Sequence, residues 1–169
     1  MKNTMKNLLV WFFFSIFLLG CAEDAVPPPS NGAAAPAFQL ESLSGEQVKV
    51  PADFSGKVVA IRFWADWCPY CRKEMQALQP VYTRLQSRGL EILAVNVAQD
   101  REVVRQFITP LGVTYPVLLD FEGATARAYG VKALPVTWLL DRNGIVRGKI
   151  VGEATPELFQ SQISTLLGN

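Results

Sequence analysis

Histidine is absent from the 169 residues of this chain. A chain without histidine has no Ser-His or Cys-His nucleophile pair and no HExxH zinc site, and it lacks the commonest ligand of transition metals. Charged side chains are few and balanced, with 16 Lys and Arg against 15 Asp and Glu. Phosphate binding requires a concentration of basic side chains, and the sequence has no basic stripe or tail. We therefore expect no nucleic-acid partner.

The N-terminal segment is strongly apolar and is set apart from the domain that follows. Lys2 and Lys6 precede an uncharged run from Leu8 to Leu19. This is the pattern of a secretory signal, and it is short for a transmembrane span. Residues 22–36 are rich in Pro, Ala, Ser and Gly and show no apolar periodicity, which predicts a spacer.

Cys21 closes this apolar run. The sequence Leu18-Leu19-Gly20-Cys21 resembles the lipobox of bacterial lipoproteins. The resemblance implies that residues 1–20 are a cleaved signal peptide, that Cys21 carries lipid, and that residues 21–36 are a lipid-anchored flexible linker. The alternatives are a plain cleavable signal or an N-terminal anchor helix with an incidental cysteine. Each of these interpretations places the domain outside the cytoplasm.

Residues 37–169 alternate between strand and helix patterns, which predicts one α/β domain. This length is sufficient to bury a substantial core without a disulfide framework. In chain order we predict a hairpin at 38–41 and 48–50, a buried strand at 57–64, a helix at 68–88, a strand at 90–97, a helix at 100–107, a strand at 117–119, a helix at 123–129, strands at 136–140 and 145–151, and a last helix from Thr155. Asn143-Gly144 predicts a type I′ turn between the last two strands.

Cys68 and Cys71 lie where the buried strand meets the first predicted helix. Two cysteines at this spacing can close a disulfide if they lie on the first turn of the helix. There, unpaired N–H groups and the helix dipole favour the thiolate of Cys68, so we expect its pKa to fall below the free value of about 8.5. Cys68 is the predicted nucleophile, and the more enclosed Cys71 is the predicted resolving cysteine, which leaves a Cys68–Cys71 disulfide.

Half of a zinc site would show the same Cys-x-x-Cys spacing. Such a site needs two further Cys or His ligands, and the chain offers only the distant Cys21. A static structural disulfide is another alternative, but a ring this small contributes little loop-closure entropy. We therefore expect redox chemistry at Cys68 and Cys71, with no metal and no cofactor.

The segment FWADWCPYCRKEM, residues 63–75, resembles the active site of the thioredoxin superfamily and, more closely, its TlpA/ResA-like branch of membrane-anchored thiol-disulfide oxidoreductases. The resemblance implies an α/β thioredoxin fold, in which helices flank a central mixed sheet that has an N-terminal β-hairpin and an inserted βα segment. It also implies that Pro135 is cis and faces the disulfide, and that the backbone of Leu134 pairs with an extended substrate. Trp67 is interpreted as part of an apolar rim around Cys68.

Glu74 also matches a position where this branch commonly has a glutamate. It lies one helical turn after Cys71, where a carboxylate can accept or return the proton that thiol exchange requires. The alternative is an ordinary solvated helix residue. Arg62 stands in the buried strand where thioredoxin itself has an acid, and a lone buried arginine requires a carboxylate partner. We hypothesise an Arg62–Glu74 pair that tunes the thiol site.

The resemblance implies an extracytoplasmic enzyme that reduces disulfides in exported proteins, with apocytochrome c as the family's best-known client. Because an oxidising compartment drives the cysteines toward the disulfide, a reducing role implies a membrane electron donor of the DsbD or CcdA type. The lipid anchor makes the membrane a partner. Ala22, in place of the Asp that commonly retains lipoproteins in the inner membrane, leaves inner and outer membrane placement open.

The sequence leaves other functions open. A disulfide oxidant or isomerase would use the same cysteines in the opposite direction, and Cys-Pro-Tyr-Cys is also the usual active-site sequence of glutaredoxins. Peroxidase activity is not expected, because Ala65 and Ile61 stand where peroxiredoxins have Thr and Pro. A Cu(I)-binding lipoprotein of the same fold is a remoter alternative, since such proteins usually have wider cysteine spacing and a histidine.

Overall fold

The computed structural model describes residues 27–168 of the chain. The predicted signal peptide at 1–20 and the predicted lipidation site at Cys21 lie outside the described residues. In chain order the elements are β1 (Phe38–Ser42), β2 (Gln47–Val50), β3 (Val58–Trp64), α1 (Cys71–Leu85), β4 (Leu90–Val97), α2 (Arg101–Ile108), β5 (Val117–Asp120), α3 (Ala124–Ala128), β6 (Val136–Leu140), β7 (Val146–Val151) and α4 (Pro156–Leu167). None of the helices in this part of the chain is long and apolar enough to cross a membrane.

The seven strands form one mixed sheet in the order β2-β1-β5-β4-β3-β6-β7. The strands β3, β4 and β5 run parallel to one another. Strand β6 is antiparallel to β3, β7 is antiparallel to β6, and β1 is antiparallel to both β2 and β5. The predicted thioredoxin fold with an N-terminal hairpin is therefore confirmed. The antiparallel register places Phe63 opposite Val136, so β3 ends where β6 begins. We call this end of the sheet, where β3, β4 and β5 finish, the active-site end.

The central strand β3 is buried along its whole length. Because side chains alternate between the two faces of a strand, Val58, Ala60 and Trp64 contribute to one apolar cluster. Val59, Ile61 and Phe63 contribute to a second cluster on the other face. Helices α1, α2 and α4 supply the first cluster, with Met75, Val104 and Phe159 among its buried residues. Arg62 shares the face of Ala60 and Trp64, so its side chain enters the cluster that α1 covers.

The first helix is shorter than the predicted 68–88, because it begins three residues later and ends at Leu85, where a 3-10 turn over Gln86–Arg88 follows. The sequence placed Cys68 on its first turn, but α1 begins at Cys71, and Cys68 lies in the preceding turn. The N–H of Cys68 donates to Ala65 O (3.3 Å), and the N–H of Cys71 donates to Cys68 O (3.2 Å), so these residues form tight turns before the helical pattern starts. The other predicted elements are confirmed, with ends that differ by at most one residue.

The turn between β6 and β7 is not the predicted type I′ turn. A type I′ turn needs positive φ at both central residues, whereas Gly144 (φ 73°) has a positive φ and Asn143 does not. The carboxylate of Asp141 explains the difference, because it accepts hydrogen bonds from the N–H groups of Asn143 (2.9 Å) and Ile145 (3.1 Å). Desolvation acts to raise the pKa of Asp141, but these bonds and Arg147 together hold it below its usual value.

The predicted linker is shorter at its C-terminal end than the sequence suggested, because residues 32–36 belong to the folded domain. Gly32 N–H donates to Val146 O (2.8 Å), and Val146 N–H donates to Ala33 O (2.9 Å). Ala35 is buried in the second apolar cluster. The hydroxyl of Tyr129 donates to the carbonyl of Pro36 (2.8 Å). The periodicity of apolar residues could not predict this segment, because main-chain hydrogen bonds hold it in place and it has no repeating apolar face.

The contact between Tyr129 and Pro36 predicts a measurable contribution to stability. In the Tyr129→Phe variant the ring stays buried while the carbonyl of Pro36 loses its donor, so we expect the free energy of unfolding to fall by about 1 kcal/mol. Urea denaturation followed by circular dichroism measures this change.

Tyr70→Phe is the matched control for that experiment. Tyr70 is 56% exposed, and its hydroxyl makes no hydrogen bond to any residue in the described part of the chain, so its removal should change stability by less than about 0.5 kcal/mol. Equal losses in the two variants would contradict the role assigned to the Tyr129 hydroxyl.

Candidate active site

Cys68 and Cys71 form a disulfide at the active-site end of the sheet, between the end of β3 and the start of α1. Their Cα atoms are 5.5 Å apart. Cys71 is fully buried and Cys68 is only 2% exposed, and both belong to the first apolar cluster. A disulfide at this position can open and close by thiol exchange, provided that a partner approaches Cys68 from the surface.

Large exposed side chains surround this nearly buried disulfide. Trp67, immediately before Cys68, is 67% exposed, and Tyr70, immediately before Cys71, is 56% exposed. Val151 is 66% exposed and pairs with Val136 at the same end of the sheet. Trp67 was singled out from the sequence, whereas Tyr70 and Val151 were not. Their exposure follows from the turn before α1 and from the end of the edge strand β7, and no local pattern reports either feature.

The segment that leads into β6 lies beside the end of β3. The Leu134–Pro135 peptide bond is cis, Pro135 is buried, and its carbonyl accepts the N–H of Gly152 (2.9 Å). Leu134 is half-buried and packs against the cluster that contains both cysteines. Within residues 27–168, the backbone N–H and C=O of Leu134 form no hydrogen bond. The resemblance assigned these backbone groups to substrate pairing, and they have no other partner among the described residues.

Arg62 and Glu74 form the ion pair that the sequence predicted. Both side chains are fully buried, and Arg62 Nη1 donates to Glu74 Oε1. The same nitrogen lies 3.2 Å from the hydroxyl oxygen of Thr137 on β6, and Glu74 Oε1 also accepts the N–H of Ala154 (2.9 Å). The alternative of a solvated Glu74 is wrong. The carboxylate is enclosed in the first helical turn that begins at Cys71.

Some polar atoms of this pair have no hydrogen-bond partner among the described residues. They are Nε and Nη2 of Arg62 and Oε2 of Glu74, all buried. Tyr115 lies close to both charges and donates its hydroxyl proton to Met75 O (2.9 Å). Burial raises the pKa of Tyr115 well above its ordinary value, while Arg62 lowers it and Glu74 raises it further. Tyr115 therefore remains a neutral donor, and its hydroxyl proton goes to Met75 O and not to Glu74.

Among residues 27–168, no group of three or more His, Cys, Asp or Glu side chains is arranged to hold a metal ion.

Comparisons with known proteins agree with this geometry. Residues 31–149 match the model of the AhpC/TSA family. The thiol-disulfide oxidoreductase ResA of Geobacillus thermodenitrificans is 37% identical over 135 residues, which cover 80% of this chain and 77% of that protein. Fold and disulfide together define the class as a thioredoxin-fold thiol-disulfide oxidoreductase.

Solved structures show the same fold. A Chlorobium tepidum protein assigned as the thiol:disulfide interchange protein DsbE has a TM-score of 0.78 and 33% identity, covering 83% of this chain and 99% of that one. A secreted thiol-disulfide isomerase of Corynebacterium glutamicum has a TM-score of 0.72 and 28% identity, covering 79% of this chain and 85% of that one. The chain therefore belongs to the AhpC/TSA family, within its ResA-like thiol-disulfide oxidoreductases.

The buried ion pair predicts a large loss of stability when one partner is removed. Arg62→Met leaves the carboxylate of Glu74 buried without a countercharge, so we expect the free energy of unfolding to fall by about 3–5 kcal/mol. The double variant Arg62→Met/Glu74→Gln contains no uncompensated charge and should recover part of that loss. Denaturant unfolding of the two variants checks both expectations.

Arg105→Met provides the control, because Arg105 pairs with Glu102 at the surface (3.1 Å), with both side chains more than half exposed. Removal of an exposed pair of this kind should cost less than about 0.5 kcal/mol. Similar effects of Arg62→Met and Arg105→Met would contradict the enclosure of the Arg62–Glu74 pair.

Proposed function

We propose that this protein works outside the cytoplasm, anchored by lipid at Cys21, and reduces disulfides in exported proteins. The observation that carries the proposal is the Cys68–Cys71 disulfide, which is enclosed by the core on one side and flanked by exposed Trp67 and Tyr70 on the other. Exposed aromatic side chains next to an enclosed disulfide favour a polypeptide partner, since they offer apolar area for docking.

The exchange reaction proceeds in two steps. In the reduced protein, the thiolate of Cys68 attacks a substrate disulfide, forms a mixed disulfide and releases one substrate thiolate. The thiolate of Cys71 then attacks the sulfur of Cys68, closes the Cys68–Cys71 bond and releases the second substrate thiolate. Two electrons pass from the cysteine pair to the substrate.

Burial of the cysteine pair supports a reducing role. A dithiol is a strong oxidant when its reduced form is stabilised as the thiolate. Here Cys68 is 2% exposed and Cys71 is fully buried, and removal from water opposes negative charge on sulfur. In addition, Cys68 precedes the helix instead of lying on its first turn, so the helix dipole would stabilise its thiolate less than the sequence predicted. These features favour a low reduction potential.

Leu134 and Pro135 would hold the substrate beside Cys68. The backbone groups of Leu134 have no partner in the described chain, so an extended segment can form main-chain hydrogen bonds there. Trp67 precedes Cys68 in the chain and Val151 pairs with Val136, the residue after Pro135, so these two exposed side chains can cover apolar side chains of that segment. Recognition by backbone and apolar area selects an extended polypeptide over a small polar thiol, which disfavours the glutaredoxin-like alternative.

Glu74 is the proposed proton carrier of the exchange. Its Oε2 atom is buried, has no hydrogen-bond partner among the described residues, and lies on the helical turn that begins at Cys71. A carboxylate so placed can take the proton from a thiol and return it to a leaving thiolate. Arg62 would tune this step by holding the carboxylate in position.

The proposed location rests on the N-terminal sequence and on a similar structure. Residues 1–20 have the pattern of a signal peptide, and Leu18-Leu19-Gly20-Cys21 resembles a lipobox. The Corynebacterium glutamicum protein of similar structure is described as secreted. In an oxidising compartment a reductant must be regenerated, so we propose a membrane electron donor of the DsbD or CcdA type, with apocytochrome c among the exported clients.

The reduction potential of Cys68–Cys71 tests the direction of electron flow. We expect the full-length chain, equilibrated in graded thiol redox buffers, to show a potential near about −270 mV or lower, because the thiolate is poorly solvated. The fraction of reduced protein is measured by alkylation of free thiols followed by mass spectrometry.

Cys21→Ser is the control for this titration, because Cys21 keeps a free thiol in any chain that has not been lipidated, and its removal should leave the potential of Cys68–Cys71 unchanged. A potential near about −120 mV would reject the reducing role and identify an oxidant or isomerase.

The proton-carrying role of Glu74 predicts a kinetic defect that is separable from misfolding. In the variant Arg62→Met/Glu74→Gln no buried charge is left unpaired, but the proton acceptor is gone, so we expect the rate of disulfide reduction to fall by roughly 10²-fold. The rate is measured over a range of pH, together with that of Arg62→Met. A double variant that reduces its substrate at the wild-type rate would rule out proton transfer by Glu74.

A further inference from the structure

Two loops meet beside the disulfide at the active-site end of the sheet. One loop, residues 65–70, joins β3 to α1, and the other, residues 98–100, joins β4 to α2. The side chain of Gln99 spans the gap between them. Its Nε2 donates a hydrogen bond to Asp66 Oδ1. Its Oε1 accepts hydrogen bonds from the backbone N–H of Asp66 (2.9 Å) and from Nδ2 of Asn96 (2.8 Å).

This contact requires the particular chemistry of a carboxamide. Asp66 presents both a donor, its backbone N–H, and an acceptor, its carboxylate, to one side chain. Only a side chain that donates and accepts in the same plane satisfies both groups, and the partners fix which end of Gln99 carries the oxygen. A glutamate at this position would keep the acceptor and lose the donor.

The backbone before Gln99 is shaped for this contact. Ala98 has a φ of 55°, in the left-handed region that residues with a Cβ rarely adopt, and its N–H is fixed to Asp120 O (2.9 Å). Asn96, the other partner of Gln99, is fully buried and lies beside Trp64 in the sheet. The bridge therefore connects the active-site loop to the core.

The loop that is held in this way carries Trp67. Because the indole is 67% exposed, packing of the side chain does not fix it, and its position depends on the backbone at Asp66. Cys68, in contrast, is enclosed by the core and tied to Cys71. Loss of the bridge should therefore displace the docking surface more than the sulfur.

We propose that Gln99 is a positioning residue that holds Trp67 for the docking of protein substrates. The inference rests on the proposed function, because it concerns the same disulfide and the same class of substrate. It goes beyond that function by assigning specificity for polypeptides over small disulfides to a residue that does not touch the cysteines.

The test compares two substrates of the reduced full-length chain. Insulin, a protein disulfide, must dock beside Trp67, whereas hydroxyethyl disulfide is small enough to reach Cys68 without docking. For Gln99→Ala we expect the second-order rate constant for insulin to fall about tenfold and that for hydroxyethyl disulfide to change by less than about twofold, because misplacement of a positioning group affects only the bound substrate.

Gln79→Ala is the matched control. Gln79 makes the same kind of bridge elsewhere, since its Nε2 donates to the hydroxyl of Thr114 (2.8 Å) and its Oε1 accepts the N–H of Thr114 (2.8 Å). Both glutamines are half-buried. We expect Gln79→Ala to leave both rate constants unchanged. A loss of insulin reduction in Gln79→Ala equal to that in Gln99→Ala would overturn the proposal.

A rescue experiment tests the hydrogen-bond chemistry directly. Gln99→Glu removes the donor and places a second carboxylate against that of Asp66, so the two charges repel. It should therefore slow insulin reduction at least as much as Gln99→Ala. Adding Asp66→Asn supplies a side-chain N–H donor that faces the new carboxylate at position 99, so the hydrogen bond forms in the reverse direction. The double variant should therefore recover most of the rate of insulin reduction. Failure of this rescue would overturn the assigned bridge.

The remaining outcomes are also decisive. Equal losses for insulin and hydroxyethyl disulfide in Gln99→Ala, or no loss for either, would overturn the positioning role. These results are distinct from failure of the proposed function, in which the unmodified chain itself would reduce neither substrate.

Discussion

Arg62 and Glu74 face each other inside the first apolar cluster, where neither charge has access to water. Removing each charge from water costs several kcal/mol, so the pair is tolerated only when its geometry is held closely. Strand β3 fixes the arginine, and the first turn of α1 fixes the carboxylate. Thr137 and Ala154 add bonds from β6 and from the segment before α4. The start of α1, and with it the disulfide, is thus constrained by four parts of the fold.

Much of this architecture follows from the sequence. The apolar run of β3, interrupted only by Arg62, and the strand and helix patterns of the other segments predicted their elements, because each reports a local period. The ion pair was predictable for a different reason: a lone arginine in a buried strand requires an acid, and Glu74 lies on the helix that follows. Residues 32–36 escaped prediction because their hydrogen bonds join distant partners, and the β6–β7 turn was assigned the wrong type because a side chain, Asp141, shapes it.

The residues of the candidate site also divide into those that local sequence predicts and those that only the assembled fold brings together. Cys68, Cys71 and Pro135 stand in a motif that a sequence displays directly. The roles of Tyr70, Val151 and Gln99 are not visible in the sequence. The exposure of Tyr70 and Val151 and the contact of Gln99 with the other loop arise only when the sheet is assembled. The start of α1 was placed too early because the turns at residues 66–70 and the helix that follows have similar residue preferences.

The edge strands of the sheet are β2 and β7, and among the described residues the segment 32–35 covers only the start of β7, at Val146. An unpaired edge is a template for another strand, and proteins commonly guard such edges with charge. Lys49 on β2, and Arg147 and Lys149 on β7, point to solvent, so edge-to-edge pairing of two copies would bring like charges together. The uncharged Val151 stands where β7 reaches the active-site end. The charges on the two edge strands therefore oppose pairing of copies along these edges, whereas the end of β7 beside the cysteines carries no charge.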